Sequence, residues 1–416
     1  MANACGLDFG TSNSTVGLIR TGEPTLLQLE GDQVTLPSVV FFNAEDEQIS
    51  YGRAALATYL DGAEGRLMRS LKSLLGTPLI DGHTEVMGKT LPFKHLLGLY
   101  IGELKHRAEI ASATKFTRAV FGRPVFFVDG DAAADCSAQQ TLEAIAHDVG
   151  FDEVVFQLEP IAAALDYESH ITHEELVLIV DIGGGTSDFS VVRLGPQRRN
   201  LIDRQSDILA NGGVHIGGTD FDKYISLATV MPLLGLGSQM KNGAEIPSAP
   251  YFKLATWHTI NQLYTPKMWS QLNDMRHDLA QRDGLERLLD LIKRRSGHWL
   301  AMQIELGKVA LSSEAAVTLT LDRIASLQEV TFTRSAFRAA VVHLHDAISD
   351  TVVKTLNDAG INANAIETVF FTGGTSAVSG LRETISSMVP NARSVVGDLF
   401  GSIGTGLALH ADRCFK

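Results

Sequence analysis

The sequence predicts an α/β protein of two lobes with related topology, and three observations predict it. Apolar strand-like runs alternate with stretches of helical spacing. A hairpin pattern occurs twice. Cys5 to Ile19 reads CGLDFGTSNSTVGLI and Leu178 to Leu194 reads LIVDIGGGTSDFSVVRL. Each has an apolar strand, an Asp, a Gly-rich turn with Thr and Ser, and a second apolar strand. Finally, 416 residues suffice for two or three domains, or for one fold of two large lobes.

Composition narrows the function classes. Hydrophobic residues make up 45% and charged residues 20%, as in an ordinary globular protein. The formal net charge of −13 argues against a nucleic-acid backbone as partner. The densest basic cluster, Lys293-Arg294-Arg295, reads as a solvated helix face. Cys5, Cys136 and Cys414 are odd in number and far apart, which argues against a disulfide framework or a thiolate metal site. The N-terminus lacks the charged and apolar regions of a signal peptide, and no apolar run has membrane-spanning length. A cytoplasmic protein with no membrane partner is the expectation.

The elements follow in order along the chain. After the first hairpin, Gly82 to Thr90 (GHTEVMGKT) imitates a P-loop, but five residues separate its glycines where the motif needs four. It reads as a loop. Ala119 to Val128 reads as a buried strand, and Ala138 to Val149 carries helical spacing. Leu176 to Val180 is a continuous apolar run that enters the second hairpin at Asp181. Residues 231–300 read as an insertion or cap holding Trp257, Trp269 and Trp299, with its helical part from Met268 onward. The tryptophans read as core, or alternatively as a partner surface. Phe337 to Ala359 has helical spacing and Val369 to Thr372 reads as a strand. His343 and His345 stand two apart on that helix and so share no face.

The hairpin tips carry the chemistry. A phosphate chain needs many donors in a small space, and glycine lets backbone N–H groups approach it. Gly10-Thr11-Ser12-Asn13 and Gly183-Gly184-Gly185-Thr186 both offer this, with hydroxyls added. Asp8 and Asp181 precede the two turns. Carboxylates there suit a hydrated Mg²⁺, held through its water. A third glycine turn, Gly373-Gly374-Thr375-Ser376, gives a flat base or ribose room to approach. There is no H-E-x-x-H and no G-x-S-x-G.

These residues resemble the DnaK-type heat-shock chaperones, within the actin-like ATPase superfamily, over nearly the whole chain. LDFGTSNS, LPSVVFF, EPIAAALDY, VDIGGGTSDFSVV, HIGGTDFD, ELGKVALSS and FFTGGTSAV occur in the family's order. The resemblance implies two lobes, each with a mixed sheet of the ribonuclease H-like type flanked by helices, and a nucleotide in the cleft. It implies lobe I at 1–172, with a cap at about 35–110 and completion by 395–416, and lobe II at 173–394, with an enlarged cap at about 220–310. It implies ATP or ADP with Mg²⁺ as cofactors. Lys72 matches the lysine that positions the attacking water, and Glu159 a carboxylate near metal and water. Asp8 and Asp181 match the aspartates around the metal, and Thr11 and Thr186 the threonines at phosphate and water. Gly217 and Gly218 fall in the HIGGTDFD run assigned to the nucleotide site. Glu305, Lys308 and Ser312 match ribose and adenine contacts, and their spacing puts them on one helical face. Asp398 matches an acidic residue near the nucleoside.

The chain also departs from the family. Asn13 replaces an aromatic or similar residue, Ala377 an arginine that packs against adenine, and Thr219 an acidic residue. Pro124 fits the family's relay proline, but no clear arginine follows at the expected distance. The expectation is an atypical, YegD-like branch without the family's acidic-apolar linker and β-rich peptide-binding domain. Three functions compete. The first is a chaperone-like ATPase with slow hydrolysis and nucleotide-driven lobe closure, its output passing to a protein partner or client through the lobe II cap. The second is a small-molecule kinase. The third is a nucleotide-sensing adaptor or actin-like filament module without turnover.

Overall fold

Two mixed sheets repeat one design. In the computed structural model, described for residues 3–128, 130–324, 327–378 and 380–416, the first sheet runs in the order Glu153–Leu158, Arg118–Arg123, Ala4–Phe9, Asn13–Arg20, Glu23–Leu26. Leu36–Pro37 pairs alongside Asn13–Arg20. Ala4–Phe9 and Asn13–Arg20 form an antiparallel hairpin, and Arg118–Arg123 joins Ala4–Phe9 in parallel. The second sheet runs Ile208–Val214, Ser187–Leu194, Glu175–Ile182, Thr368–Thr372, Arg393–Val396. Here too the hairpin is antiparallel, Glu175–Ile182 with Ser187–Leu194, and Thr368–Thr372 adds in parallel. The repeat seen in the sequence is therefore a repeat of topology, and each sheet has the mixed character expected of it.

Both hairpin sheets lie in one compact unit, made of the chain up to Gly213 with Thr351–Ser376 and Ser386–Lys416. Their inner strands are apolar on both faces. Leu7, Val16, Val177, Ile179, Val180, Val191 and Phe371 are all buried. The helices Glu159–His170 and Ser402–Cys414 cover them at close range. Glycine makes that approach possible. A Cβ at Gly406 would meet the Ala162 carbonyl oxygen at 1.8 Å, and one at Gly6 would meet the Ala408 nitrogen at 2.3 Å. On its other side the first sheet packs on Phe93–Ser112 and Ala132–Asp148 through Leu96, Tyr100, Leu104 and Leu142. A small sheet of Ile49–Tyr51, Val39–Asn43 and Gly65–Arg69 branches from this unit with the helix Gly52–Leu60.

The second unit comprises Val214–Asp350 and Ala377–Ile385. It holds the helices Gly218–Thr229, Ala249–Leu254, Pro266–Met275, Asp283–Lys293 and Gly297–Ala310, the hairpin of Ala316–Ile324 and Leu327–Thr333, and most of Arg334–Asp358. Tyr251, Leu254, Ile260, Leu263, Leu285 and Leu288 are all buried in this unit. Trp299 is buried, while Trp257 and Trp269 are half-buried. Trp257 meets His298 edge-on at 4.7 Å. None of the described helices is long and apolar enough to cross a membrane.

Two local readings are corrected. The strand expected to run to Val128 ends at Arg123. Pro124 has no N–H to donate to a ladder, and Arg123 turns its guanidinium to the Pro124 carbonyl and to Asp135. The expected loop at 82–90 is mostly a hairpin, with His83–Val86 against Lys89–Pro92. Its tip is Met87-Gly88, both at positive φ, the two-residue turn that suits strand twist. The close helix packing yields a prediction. Gly406→Ala drives a methyl into backbone and destabilises the protein by about 1–3 kcal/mol or more. Denaturant unfolding measures this, and an unchanged midpoint contradicts the packing.

Candidate functional site

The first hairpin places Asp8 one residue before its strand ends, opposite Thr15. The second places Asp181 opposite Asp188, one residue before its own strand end. Both tips need glycine. A Cβ at Gly10 would meet the Asn13 carbonyl oxygen at 2.1 Å. At Gly184 a Cβ would meet Ser12 Oγ at 2.1 Å, so the two tips approach each other directly. Gly183 N–H donates to the Thr186 carbonyl at 2.9 Å and closes the second turn. The third glycine turn packs on the second hairpin. Gly373 has φ +77°, and a Cβ there would meet Asp181 Oδ1 at 2.6 Å. Thr375 Oγ1 donates to the Gly183 carbonyl at 2.8 Å. Ser376 is buried beside it.

Lys72 enters this group from a short 3₁₀ turn, Leu71–Leu74. Ser70, just before it, is left-handed at φ 58° and accepts two bonds from Ser73 through its carbonyl. Such a conformation is costly for a non-glycine residue and is held by its surroundings. The result is a buried Lys72 whose Nζ donates to Glu159 Oε1 at 2.5 Å. Glu159 begins the helix Glu159–His170, where the helix dipole favours a carboxylate. A Cβ at Gly122 would approach its Cγ to 3.3 Å.

Electrostatics bind these groups into one cluster. Desolvation raises the Asp8 carboxyl to about 7, helped by Glu159 and opposed by Lys72. Desolvation also raises Asp181 to about 8, with Asp188, Glu159 and Asp8 adding to it and Lys72 opposing. Burial pulls the Lys72 ammonium down, but the charges of Glu159, Asp8 and Asp181 outweigh that, and it lies above its ordinary value. Negative charge is therefore in excess around one cation. Among the described residues no three acidic, histidine or cysteine side chains are set to ligate a metal directly. Two carboxylates short of cationic partners do fit a hydrated divalent ion, held through its water rather than stripped of it.

The remaining residues fall into two groups. Thr11, Ser12 and Asn13 are partly exposed at the first tip, as are Gly183, Gly184 and Gly185 at the second, while Thr186 is exposed. Asp398 is exposed, and its carboxylate accepts from the Phe400 N–H at 3.1 Å in the turn before Ser402–Cys414. Gly217, Gly218, Glu305, Lys308 and Ser312 lie in the second unit. There Lys308 is buried and donates to the Gly218 carbonyl and to Asp222, each at 2.9 Å. Glu305 is half-buried on the same helix. The expectation of three residues on one helical face is corrected, because the helix Gly297–Ala310 ends before Ser312. Ser312 N–H instead donates to the Val309 carbonyl at 3.1 Å in a tighter turn.

Asp188 was missed in the sequence. Its signal was the hairpin register, since the Asp181 strand and a two-fold side-chain period put Asp181 and Asp188 side by side on one face.

The paired antiparallel hairpins, each joined in parallel by a further strand, give the fold of the actin-like ATPase class. The Hsp70 protein family model matches residues 4–231 and 281–407, so the chain belongs to the Hsp70 family. ATP binding, ATPase chemistry and chaperone-type work are the general function this membership carries. Residues 232–280, inside the expected cap, fall outside the match.

The like-charge cluster predicts a pH dependence. Folding keeps a proton on Asp181 between the ordinary carboxylate value of 3.8 and about 8 that the unfolded chain has lost. The folded state then binds more protons, so stability falls as pH rises through that window. Asp181→Asn is expected to raise the melting temperature of the ligand-free protein by several degrees at pH 8 and much less at pH 5. Scanning calorimetry checks this, and an equal or absent shift at both pH values contradicts the cluster.

Proposed function

We propose that the chain binds ATP with Mg²⁺ at the facing hairpin tips and hydrolyses it slowly. The observation that carries this reading is the approach of Ser12 to Gly184 above a shared cluster of Lys72, Glu159, Asp8 and Asp181. Backbone N–H groups and hydroxyls of Gly10 to Asn13 and Gly183 to Thr186 hold the phosphates. Bound magnesium supplies positive charge against the phosphate oxygens and the two aspartates. Lys72 orients the attacking water and offsets negative charge developing on the phosphoryl group. Glu159 holds the Lys72 ammonium in place and accepts from the water. Asp181, ionised once the cation is bound, serves as the carboxylate that takes the water's proton. Thr11 and Thr186 contribute hydroxyls at phosphate and water.

On the nucleoside side, the reading assigns Glu305, Ser312, Gly217, Gly218, Gly374, Ser376 and Asp398 to ribose and base. Lys308 serves them indirectly through its bonds to Gly218 and Asp222. ATP closes two lobes, residues 1–172 with 395–416 and residues 173–394, and hydrolysis relaxes them, a hinge mode known for nucleotide switches. The cap is the surface that passes this state to a protein partner or client. Its unmatched segment 232–280 supports an atypical branch of the family.

Lys72→Ala is expected to lower the single-turnover rate of phosphate release from ATP by about 100-fold or more, while MgATP binding measured by calorimetry persists. A variant that hydrolyses ATP like wild type removes Lys72 from the catalytic assignment. A wild type that binds MgATP without turnover above background supports the adaptor alternative.

A further inference from the structure

Each hairpin tip has a carbonyl held by a hydroxyl from a distant part of the chain. Ser38 Oγ donates to the Gly10 carbonyl at 2.6 Å, and Ser38 N–H donates to the Ser12 carbonyl at 2.9 Å. Thr375 Oγ1 makes the matching bond to the Gly183 carbonyl at 2.8 Å. We propose that Ser38 is a positioning residue for phosphate binding: it presets the first hairpin tip from behind, as Thr375 does for the second. This rests on the nucleotide reading above and adds to it a residue that touches no ligand.

The bonding arithmetic supports a fixed arrangement. Ser38 has one hydroxyl hydrogen, and the short bond to Gly10 uses it. Ser14 Oγ, 3.0 Å from Ser38 Oγ, must then be the donor in that contact. Ser14 and Ser38 are both buried, at 0% and 1% exposure, so bulk water does not compete for either bond. The segment that carries Ser38 is itself pinned. Pro37 and Leu36 pair with Asn13 and Ser14, and the buried Tyr100 hydroxyl lies 3.0 Å from the Leu36 carbonyl and 3.1 Å from the Pro37 carbonyl. Tyr100 packs against Phe9, at a ring distance of 5.7 Å.

Peptide planarity turns this anchoring into a binding property. In a trans peptide the carbonyl and the following N–H point in opposite directions. With the Gly10 and Ser12 carbonyls turned to Ser38, the Thr11 and Asn13 N–H groups are turned away from it. A loop whose amides are already oriented spends less ordering free energy on an anion than a loop that must reorganise. Ser38 thus acts on phosphate affinity through the peptide planes of residues 10 to 13. Adenosine, which has no phosphate, gains nothing from it.

The test uses the full chain, with MgADP and adenosine as calorimetric probes and amide hydrogen exchange on the ligand-free protein. Ser38→Ala is expected to weaken MgADP about 10-fold, the scale of one buried hydrogen bond, and to leave adenosine affinity unchanged. Exchange in peptides covering residues 10–14 accelerates, while that in peptides covering 183–187 does not. Thr375→Val gives the converse exchange pattern, and Thr375→Ser restores wild-type behaviour. A merely structural role for Ser38 weakens both ligands alike, or neither. That outcome, or unchanged exchange over residues 10–14, overturns the proposal. A wild type that binds neither probe overturns the nucleotide reading, and the exchange experiment alone then decides whether Ser38 holds the tip.

Discussion

One buried ammonium stands against a surplus of carboxylates. Lys72 is bonded to Glu159 and lies within the electrostatic reach of Asp8 and Asp181, and Asp188 presses on Asp181 from the neighbouring strand. Desolvation makes such an arrangement costly unless charge is balanced. The protein holds it by keeping protons on aspartates that would ordinarily ionise. A cluster in this condition favours a cationic ligand, which is the ground for the proposed binding of a nucleotide together with its metal ion.

The rest of the hairpin unit can be understood as what keeps that surplus in place. The two antiparallel hairpins bring one aspartate each to the same cluster, and their apolar strands are buried on both faces. Two helices with glycine-mediated contacts fix the strands from one side. Glu159 sits at the first turn of one of them, where the helix dipole favours negative charge, and accepts from Lys72 Nζ. Lys72 itself arrives on a turn entered through a left-handed serine, a local strain beside the charged cluster. Hydroxyls from Ser38 and Thr375 then hold the tips from behind.

Much of this was legible in the sequence, for physical reasons. The paired Asp–Gly-rich turns were visible because tips that approach this closely need glycine at fixed places. The long helix Arg334–Asp358 and the helix Ala132–Asp148 were visible through their spacing. Other features depend on tertiary contacts and leave little local trace. The role of Ser38 arises from a bond to a residue 28 positions earlier, and that of Thr375 from one 192 positions away. Ser312 looked helical by spacing, but the helix stops at Ala310. Nothing in the Lys308 neighbourhood announced its ion pair with Asp222, which forms only when two helices of the second unit meet. The hairpin at 83–92 was hidden because its alternation is short and its tip uses Met87 rather than a usual turn residue.

The charge surplus can be measured directly by proton counting. Calorimetric titration with MgADP at pH 7, in buffers of different ionisation enthalpy, gives the protons released on binding. At pH 7 a carboxyl held at about 7 is half protonated and one held at about 8 is mostly protonated, so their ionisation when a cation arrives releases roughly 1–1.5 protons per bound ligand. Asp181→Asn should remove most of that release. Binding with no net proton release from the wild type, or the same release from the variant, would mean that these carboxylates are already ionised and that the cluster is not the organising feature of the site.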